Sequence, residues 1–187
     1  YTTGQKNKKY KRKWITKEDI DDQITVLRCY VSQSYNKNFW GRFWAYISFA
    51  LSAGWVGMFY IKKQDIIIAS SPPLFIAIPA YLIKKIKKIP LIFEVRDLWP
   101  KFAIDTGILK NPLLIKFSYW LENFIYQKTD LINVLTPTFK EYLLKEKKIL
   151  DSKIIYIPNG ADLDLMRPGP KNNWVRKKYN WLNKFKY

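Results

Sequence analysis

The chain has 187 residues, which at about 150 residues per domain corresponds to one domain and part of a second. Hydrophobic residues make up 48% and charged residues 26% of it, which excludes a disordered or collagen-like chain. Cys29 is the only cysteine, so no intrachain disulfide can form and a reducing compartment is favoured. Histidine is absent, which excludes Ser-His-Asp and Cys-His catalysis and disfavours a zinc site.

The net charge is the unusual feature of the composition. Lys and Arg number 33 against 15 Asp and Glu, a formal charge of +18, and 17% of the residues are aromatic. Such an excess predicts an anionic partner: nucleic acid, a phospholipid surface or a phosphorylated substrate. Basic and aromatic residues together suit stacked nucleic acid as well as a membrane interface, and composition does not choose between them.

The N-terminal part of the chain is polar and then becomes apolar. Residues 1–20 are strongly basic and are predicted to form an arm or loop. Residues 24–29 show little alternation of polar and apolar side chains and are rich in β-branched residues, which predicts a short strand. Residues 43–61 form an uncharged run long enough to span a bilayer. Serines, glycines and aromatics spread along that run favour a buried or membrane-surface helix over a spanning one.

Four short apolar runs alternate with helical segments in the rest of the chain, with short connections between them. Strands buried on both faces of a parallel sheet have this pattern. The sequence therefore predicts an α/β fold with a Rossmann-like, doubly wound parallel sheet. The four predicted strands are residues 65–69, 90–95, 131–135 and 153–157.

The connecting helices carry local signals. Ser71 followed by Pro72 predicts a helix start, and Pro79 predicts a kink or break inside that helix. A later helix is predicted to begin either at Thr136 or at the capping box that opens with Thr138. Between them, one helix places five apolar residues on a single face: Leu113, Phe117, Trp120, Leu121 and Phe124.

Polar residues follow each predicted strand, at the edge where an open parallel sheet binds its ligands. Asp97 is the carboxylate directly at a strand exit, where it can orient or deprotonate a hydroxyl group. The alternative is structural: Asp97 caps the following loop and Arg96 pairs with a neighbouring acid. The residues at the four exits are Ser70, Ser71, Arg96, Asp97, Thr136, Asn159 and Gly160.

Several motifs are absent from the sequence. It contains no G-x-G-x-x-G turn and no Walker A motif. No acidic cluster has metal-ligand spacing, and the lysine runs at 84–88 and 145–148 fit solvated helix faces. No cofactor is expected.

Four segments in order resemble the N-terminal domain of family 4 glycosyltransferases, which are retaining enzymes of the GT-B fold. They are residues 67–74, 93–100 with Gly107 downstream, 120–130 and 157–162, and they include R-D-L-W-P and P-N-G-A-D. The likeness covers roughly residues 20–168. It is closest to the subgroup that builds bacterial and archaeal surface polysaccharides and lipid-linked oligosaccharides.

The resemblance implies two Rossmann-like domains, of which the first binds the acceptor and the second binds the nucleotide-sugar donor through two glutamates separated by seven residues. Asp97 matches an acidic position beside the reacting sugar, and Asn159 and Gly160 lie at the hinge between the domains. The residues expected to contribute to substrate binding are Ser70, Ser71, Arg96, Trp99, Thr136, Asn159 and Gly160. No metal is expected, because this fold stabilises the leaving diphosphate with side chains and helix N-termini.

The sequence departs from the family pattern in lacking any Glu-x7-Glu pair. We expect a basic arm at residues 1–20, an acceptor-binding domain at 21–165, and at 166–187 a linker with the start of, or a return helix from, a missing donor domain. The first strand and its Gly-rich loop also lack a counterpart, so the domain is expected to be incomplete at both ends and inactive alone. The alternative is a non-catalytic subunit that binds a membrane acceptor for a separate donor-binding chain.

The expected partners follow from the resemblance and the charge. They are a nucleotide-sugar donor bound by the missing C-terminal domain, a lipid-linked or glycan acceptor, and an anionic membrane surface, to which each basic residue contributes about 1 kcal/mol. Aromatics of residues 40–60 can insert among head groups. We therefore expect a cytoplasmic protein, peripheral on the inner face of the cell membrane. Nucleic acid is not expected, because the basic residues are spread over the arm, two helices and the tail.

Overall fold

The computed structural model describes residues 13–36, 39–62, 64–164, 166–167, 169 and 174–179. Most of the predicted basic arm, residues 1–12, lies outside this part of the chain, as does most of the predicted tail. Within the described tail, Trp174–Lys178 are helical.

The first described element is a β-hairpin. Strand β1 (Ile15–Asp19) pairs antiparallel with strand β2 (Thr25–Cys29), with Ile15 opposite Cys29. The Oδ1 atom of Asp21 accepts the N–H groups of Gln23 and Ile24 and shapes the turn. Strand β2 was predicted, but β1 lies where a loop was expected: Lys17 and Asp19 are exposed and Glu18 is half-buried, and pairing with β2 stabilises the strand.

The central sheet has four parallel strands in the order β3-β4-β5-β6. This confirms the predicted Rossmann-like α/β fold. Strand β3 extends two residues further than predicted, so that Ser70 and Ser71 are its last residues and do not follow it. The strands are β3 (Ile67–Ser71), β4 (Leu91–Val95), β5 (Leu131–Val134) and β6 (Ile154–Tyr156).

Side chains of alternate strand residues fill the core, because successive residues of a strand point to opposite faces. Phe93, Val95, Ile132 and Val134 are fully buried, together with Leu121 and Tyr126 of the helical layer. The opposite face of the sheet is more open, since Ile68 is 64% exposed. The helices are α1 (Phe39–Phe59), α2 (Ala77–Lys87), α3 (Lys101–Asp105), α4 (Pro112–Lys128), α5 (Pro137–Lys145) and α6 (Trp174–Lys178).

Helix α1 contains most of the long uncharged run. In the described part of the chain, no helix combines the length and apolarity needed to cross a membrane. The α1 helix instead packs against the protein: the Ser52 hydroxyl donates to the carbonyl of Tyr30 at 2.6 Å. Its glycines let α2 approach closely, because a Cβ atom on Gly54 would lie 2.7 Å from Cβ of Pro79.

Helix α2 differs from its predicted form. A short 3-10 turn, Leu74–Ile76, precedes it, and Ser71 does not cap it. Pro79 is the third residue of α2 and does not break it, because the first N–H groups of a helix have no intrahelical acceptor. Thr136 is the N-cap of α5, with its hydroxyl accepting the N–H of Phe139 at 3.2 Å.

Helix α4 buries a different set of residues from the one expected. Leu121 is 2% exposed and faces the core as predicted, but Trp120 is 57% exposed and Leu113 is 78% exposed. Glu122, at 1% exposure, takes a core position, which it can occupy because Lys147 forms an ion pair with it.

Candidate functional site

A pocket of about 360 Å³ opens at the carboxyl edge of the sheet. The end of β3 and the segments that follow β4, β5 and β6 contribute to it, as expected for a parallel sheet whose strands all end at one edge. Its lining consists of Ser70, Ser71, Pro72, Arg96, Asp97, Leu135 and Asn159.

The structure therefore brings together five of the predicted site residues: Ser70, Ser71, Arg96, Asp97 and Asn159. The other three do not line this pocket. Trp99 packs at 6.3 Å from the ring of Phe75. Thr136 caps α5, and Gly160 is exposed, with no atom within 4 Å of a Cβ placed on it.

The serines of β3 are fixed by Glu94 of β4. The Ser70 hydroxyl donates to Oε2 of Glu94 at 2.5 Å, and the Ser71 hydroxyl donates to the Glu94 carbonyl at 3.3 Å. Ser71 is 2% exposed, so its contribution to the pocket is mainly to the shape of the floor. The Ser70 side chain, half-buried, is oriented by a carboxylate and stands at the pocket wall.

Arg96 and Asp97 follow β4 and are both exposed. If these residues had only a structural role, Asp97 would cap the following loop and Arg96 would form an ion pair with a neighbouring acid. Within the described residues neither side chain makes a hydrogen bond or an ion pair; the loop is held instead by the Trp99 N–H, which donates to the Asp97 carbonyl at 2.9 Å. The carboxylate and the guanidinium thus both remain available to a ligand in the pocket.

Asn159 reaches the pocket from the segment after β6. This segment is held by Asn133 of β5, whose Oδ1 accepts the N–H of Ile157 at 3.0 Å. Asn133 is 7% exposed. A buried amide on β5 therefore sets the direction in which the chain leaves β6, two residues before Asn159.

Sequence reasoning missed Glu94 and Asn133. Both lie inside strands, next to apolar neighbours, and they occupy adjacent positions across β4 and β5, with Ser70 opposite Glu94 on β3. A polar residue at the penultimate position of an apolar strand was the available signal.

Chemically, the pocket offers hydroxyl, amide, carboxylate and guanidinium groups. Ser70, Asp97 and Asn159 can hydrogen-bond the hydroxyl groups of a polyol, and Arg96 can bind a phosphate or another anion. Among the described residues, no group of three or more Asp, Glu or Cys side chains could hold a metal ion.

A family model, Glycosyltransferase Family 4, matches residues 15–165. The match includes the hairpin, the parallel sheet and every residue that lines the pocket. Among curated proteins, no match was found.

Proposed function

The chain belongs to glycosyltransferase family 4, and we propose that its domain binds the acceptor in a retaining transfer of a sugar from a nucleotide-sugar donor. The observation that carries this proposal is the pocket at the carboxyl edge of the sheet, where Asp97 and Arg96 stand unpaired within the described chain beside Ser70 and Asn159.

The proposed roles follow from the chemistry of each group. Asp97 accepts a hydrogen bond from the attacking acceptor hydroxyl and orients its oxygen. Ser70 and Asn159 bind neighbouring hydroxyl groups, and Arg96 binds a phosphate of the substrate. Ser71 shapes the floor of the pocket. Outside the pocket lining, Trp99, Thr136 and Gly160 contact only the part of a substrate that extends beyond it.

The acceptor is proposed to be lipid-linked, as in the synthesis of surface polysaccharides. The support is an exposed apolar stripe on α1, whose members recur at intervals of four and seven residues and so lie on one side of the helix. Each is more than half exposed: Trp40, Trp44, Leu51, Trp55 and Phe59. With a formal charge of +18, this α1 stripe suits a protein that is peripheral on an anionic, cytoplasmic membrane face.

The acceptor proposal is tested with Asp97→Asn and the matched control Asp105→Asn, which changes an exposed acid of α3 outside the pocket. Binding of polyprenyl-diphosphate-linked saccharides in nanodiscs is measured for the 187-residue chain. Loss of one hydrogen bond to a charged group costs about 1.5–3 kcal/mol and so weakens binding by about tenfold or more. Asp97→Asn is expected to show that loss and Asp105→Asn is not; equal affinities in both would refute the role of Asp97.

A second candidate is a non-catalytic subunit that delivers the acceptor to a separate donor-binding chain. The 187 residues contain no Glu-x7-Glu pair, so under either proposal the donor is bound by other residues. In either case we expect the 187-residue chain to be inactive alone. An assay with a panel of nucleotide sugars and lipid-linked acceptors distinguishes these proposals from a self-sufficient enzyme, because turnover by this chain alone would contradict both.

A further inference from the structure

A second pocket, of about 460 Å³, lies at the opposite, amino edge of the sheet. Strands of five residues separate the two edges by about 16 Å, so this pocket is distinct from the one that contains Asp97. It lies where α2 and α4 end and β4 and β5 begin. Its lining consists of Tyr81, Lys84, Lys85, Lys88, Ile89, Pro90, Lys128 and Asp130.

The lining carries four lysines and one aspartate, a net charge of +3. Both oxygens of Asp130 are already engaged: Oδ2 accepts the N–H of Leu91 at 2.7 Å, and Oδ1 pairs with Lys84 at 2.8 Å. Asp130 therefore satisfies Lys84 and the backbone and leaves the charge of the other lysines uncompensated.

The remaining lysines have no acidic partner. Within the described residues, no ion pair is formed by Lys85, Lys88 or Lys128, and all three are exposed. The C-termini of α2 and α4 contribute negative partial charge here, about half an elementary charge each. Together they offset about one of the three excess charges, so the pocket remains positive.

Lys153, at the start of β6, is affected by the same positive potential. It interacts electrostatically with Lys84 and Asp130, and its ammonium donates to the carbonyl of Gln127 at 2.9 Å. Burial, and then repulsion by Lys84, lower the pKa of Lys153. Repulsion between Lys84 and Lys153 is thus a secondary cause of the lowered pKa of Lys153, after burial, and Asp130 opposes it.

We propose that the pocket between the ends of α2 and α4 is a second ligand site, which binds a phosphate group. Lys85, Lys88 and Lys128 contact the phosphate oxygens through ammonium groups on flexible side chains. Lys84 remains in its ion pair with Asp130. Tyr81, Ile89 and Pro90 provide apolar surface for the group that the phosphate esterifies. The phosphate belongs either to a lipid head group or to a soluble phosphate ester.

The test uses inorganic phosphate and the backbone amide spectrum of the 187-residue chain. Saturable shifts are expected at residues 84–89 and 128–130. The variant Lys85→Gln with Lys128→Gln is expected to weaken the affinity about tenfold or more, and Lys85→Arg with Lys128→Arg is expected to restore it.

The matched control is Lys110→Gln with Lys116→Gln, which removes the same charge from exposed positions outside the pocket. This control is expected to bind phosphate as the unsubstituted chain does. Unsaturable shifts spread over the surface, or equal losses in the two Gln variants, would overturn the proposal, because either shows attraction to the overall charge only. The four substituted lysines make no ion pair in the described chain, so all variants are expected to fold.

Vesicles of phosphatidylcholine, with and without phosphatidylglycerol, identify the source of the phosphate. If the variant with Lys85→Gln and Lys128→Gln loses binding to phosphatidylglycerol vesicles while the control variant keeps it, the ligand is a lipid head group. If both variants bind vesicles equally but only the control binds inorganic phosphate, the ligand is a soluble phosphate ester. This site does not depend on the acceptor proposal, because the two pockets share no lining residue, and Asp97→Asn is expected to leave phosphate binding here unchanged.

Discussion

The hydroxyl of Ser70 donates a 2.5 Å hydrogen bond to the carboxylate of Glu94, across the penultimate residue pair of two parallel strands. This contact fixes one wall of the proposed acceptor pocket. It joins residues 24 positions apart in the chain, and it places a half-buried carboxylate directly behind a serine that is available to a sugar hydroxyl.

Ser70→Ala is expected to lower the free energy of unfolding by about 1–3 kcal/mol, because Glu94 loses a charge-assisted hydrogen bond in a half-buried position. Urea unfolding at neutral pH measures the change. Thr25→Ala is the matched control, since it removes another hydroxyl donor to a carboxylate, that of Asp19, at the exposed hairpin. If both substitutions have the same small effect, the Ser70–Glu94 bond is no stronger than a surface contact.

Lys147→Met is expected to lower the free energy of unfolding by about 3–5 kcal/mol at pH 7, because it leaves Glu122 as an unpaired buried charge. Lys145→Met, which breaks an exposed pair with Glu141, is the control and is expected to have little effect. Chemical denaturation measures the free energy of unfolding of both variants. A Lys147→Met variant as stable as Lys145→Met would contradict the view that Glu122 is a buried charge stabilised by Lys147.

The stability of the Lys147→Met variant is also expected to depend on pH. Burial raises the pKa of Glu122 above 4.5, and the hydrogen bond from Lys147 opposes that rise, so removing Lys147 raises the pKa further. A carboxyl whose pKa is higher in the folded state binds more protons there, and stability then falls as the pH rises between the two pKa values. The deficit of Lys147→Met is therefore expected to shrink from pH 7 towards pH 5; a constant deficit would assign the loss to packing alone.

The contacts of Gly54 and Gly57 predict different outcomes for the same substitution. A Cβ on Gly54 would lie 2.7 Å from Cβ of Pro79, while a Cβ on Gly57 would lie 2.6 Å from the terminal Cδ1 of Ile83. Alanine gains about 1 kcal/mol of helix propensity at either site. Overpacking against the rigid proline ring costs about 1–3 kcal/mol, whereas the isoleucine side chain can rotate away.

Gly54→Ala is therefore expected to lower the thermal unfolding midpoint, and Gly57→Ala is expected to leave it unchanged or raise it. Calorimetry of the two variants measures both midpoints, and each variant serves as the control for the other. A reversal of their order would show that α1 shifts freely over α2 and that the contact with Pro79 is not restrictive.

The α1 stripe predicts which aromatics mediate membrane binding. Trp44→Ala combined with Trp55→Ala is expected to reduce sedimentation with phosphatidylglycerol vesicles, because both rings are more than half exposed on one side of α1. Trp174→Ala, at a comparably exposed ring on α6, is the control. High salt is expected to weaken what binding remains. If Trp174→Ala reduces sedimentation as much as the double substitution, α1 is not the docking element.

Much of the fold could be predicted because its signals are local. The strands of the parallel sheet are apolar runs bounded by turn residues, and three of the four were placed to within a residue at each end. The cap of α5 at Thr136 is a short-range hydrogen bond within one turn. Strand β1 could not be found in this way, because it is polar after its first residue, Ile15, and depends on its partner β2 for stability.

The sequence by itself determined the α/β class, the direction and approximate limits of the sheet strands, and the edge at which Asp97, Arg96 and Asn159 would lie. Only the tertiary structure decided that Glu94 holds Ser70, that Glu122 is buried against Lys147, and that four lysines meet Asp130 at the amino edge. The physical reason is that strand runs and caps depend on residues a few positions apart. Hydrogen bonds, ion pairs and charge clusters depend instead on strand register and helix packing, which join residues more than twenty positions apart.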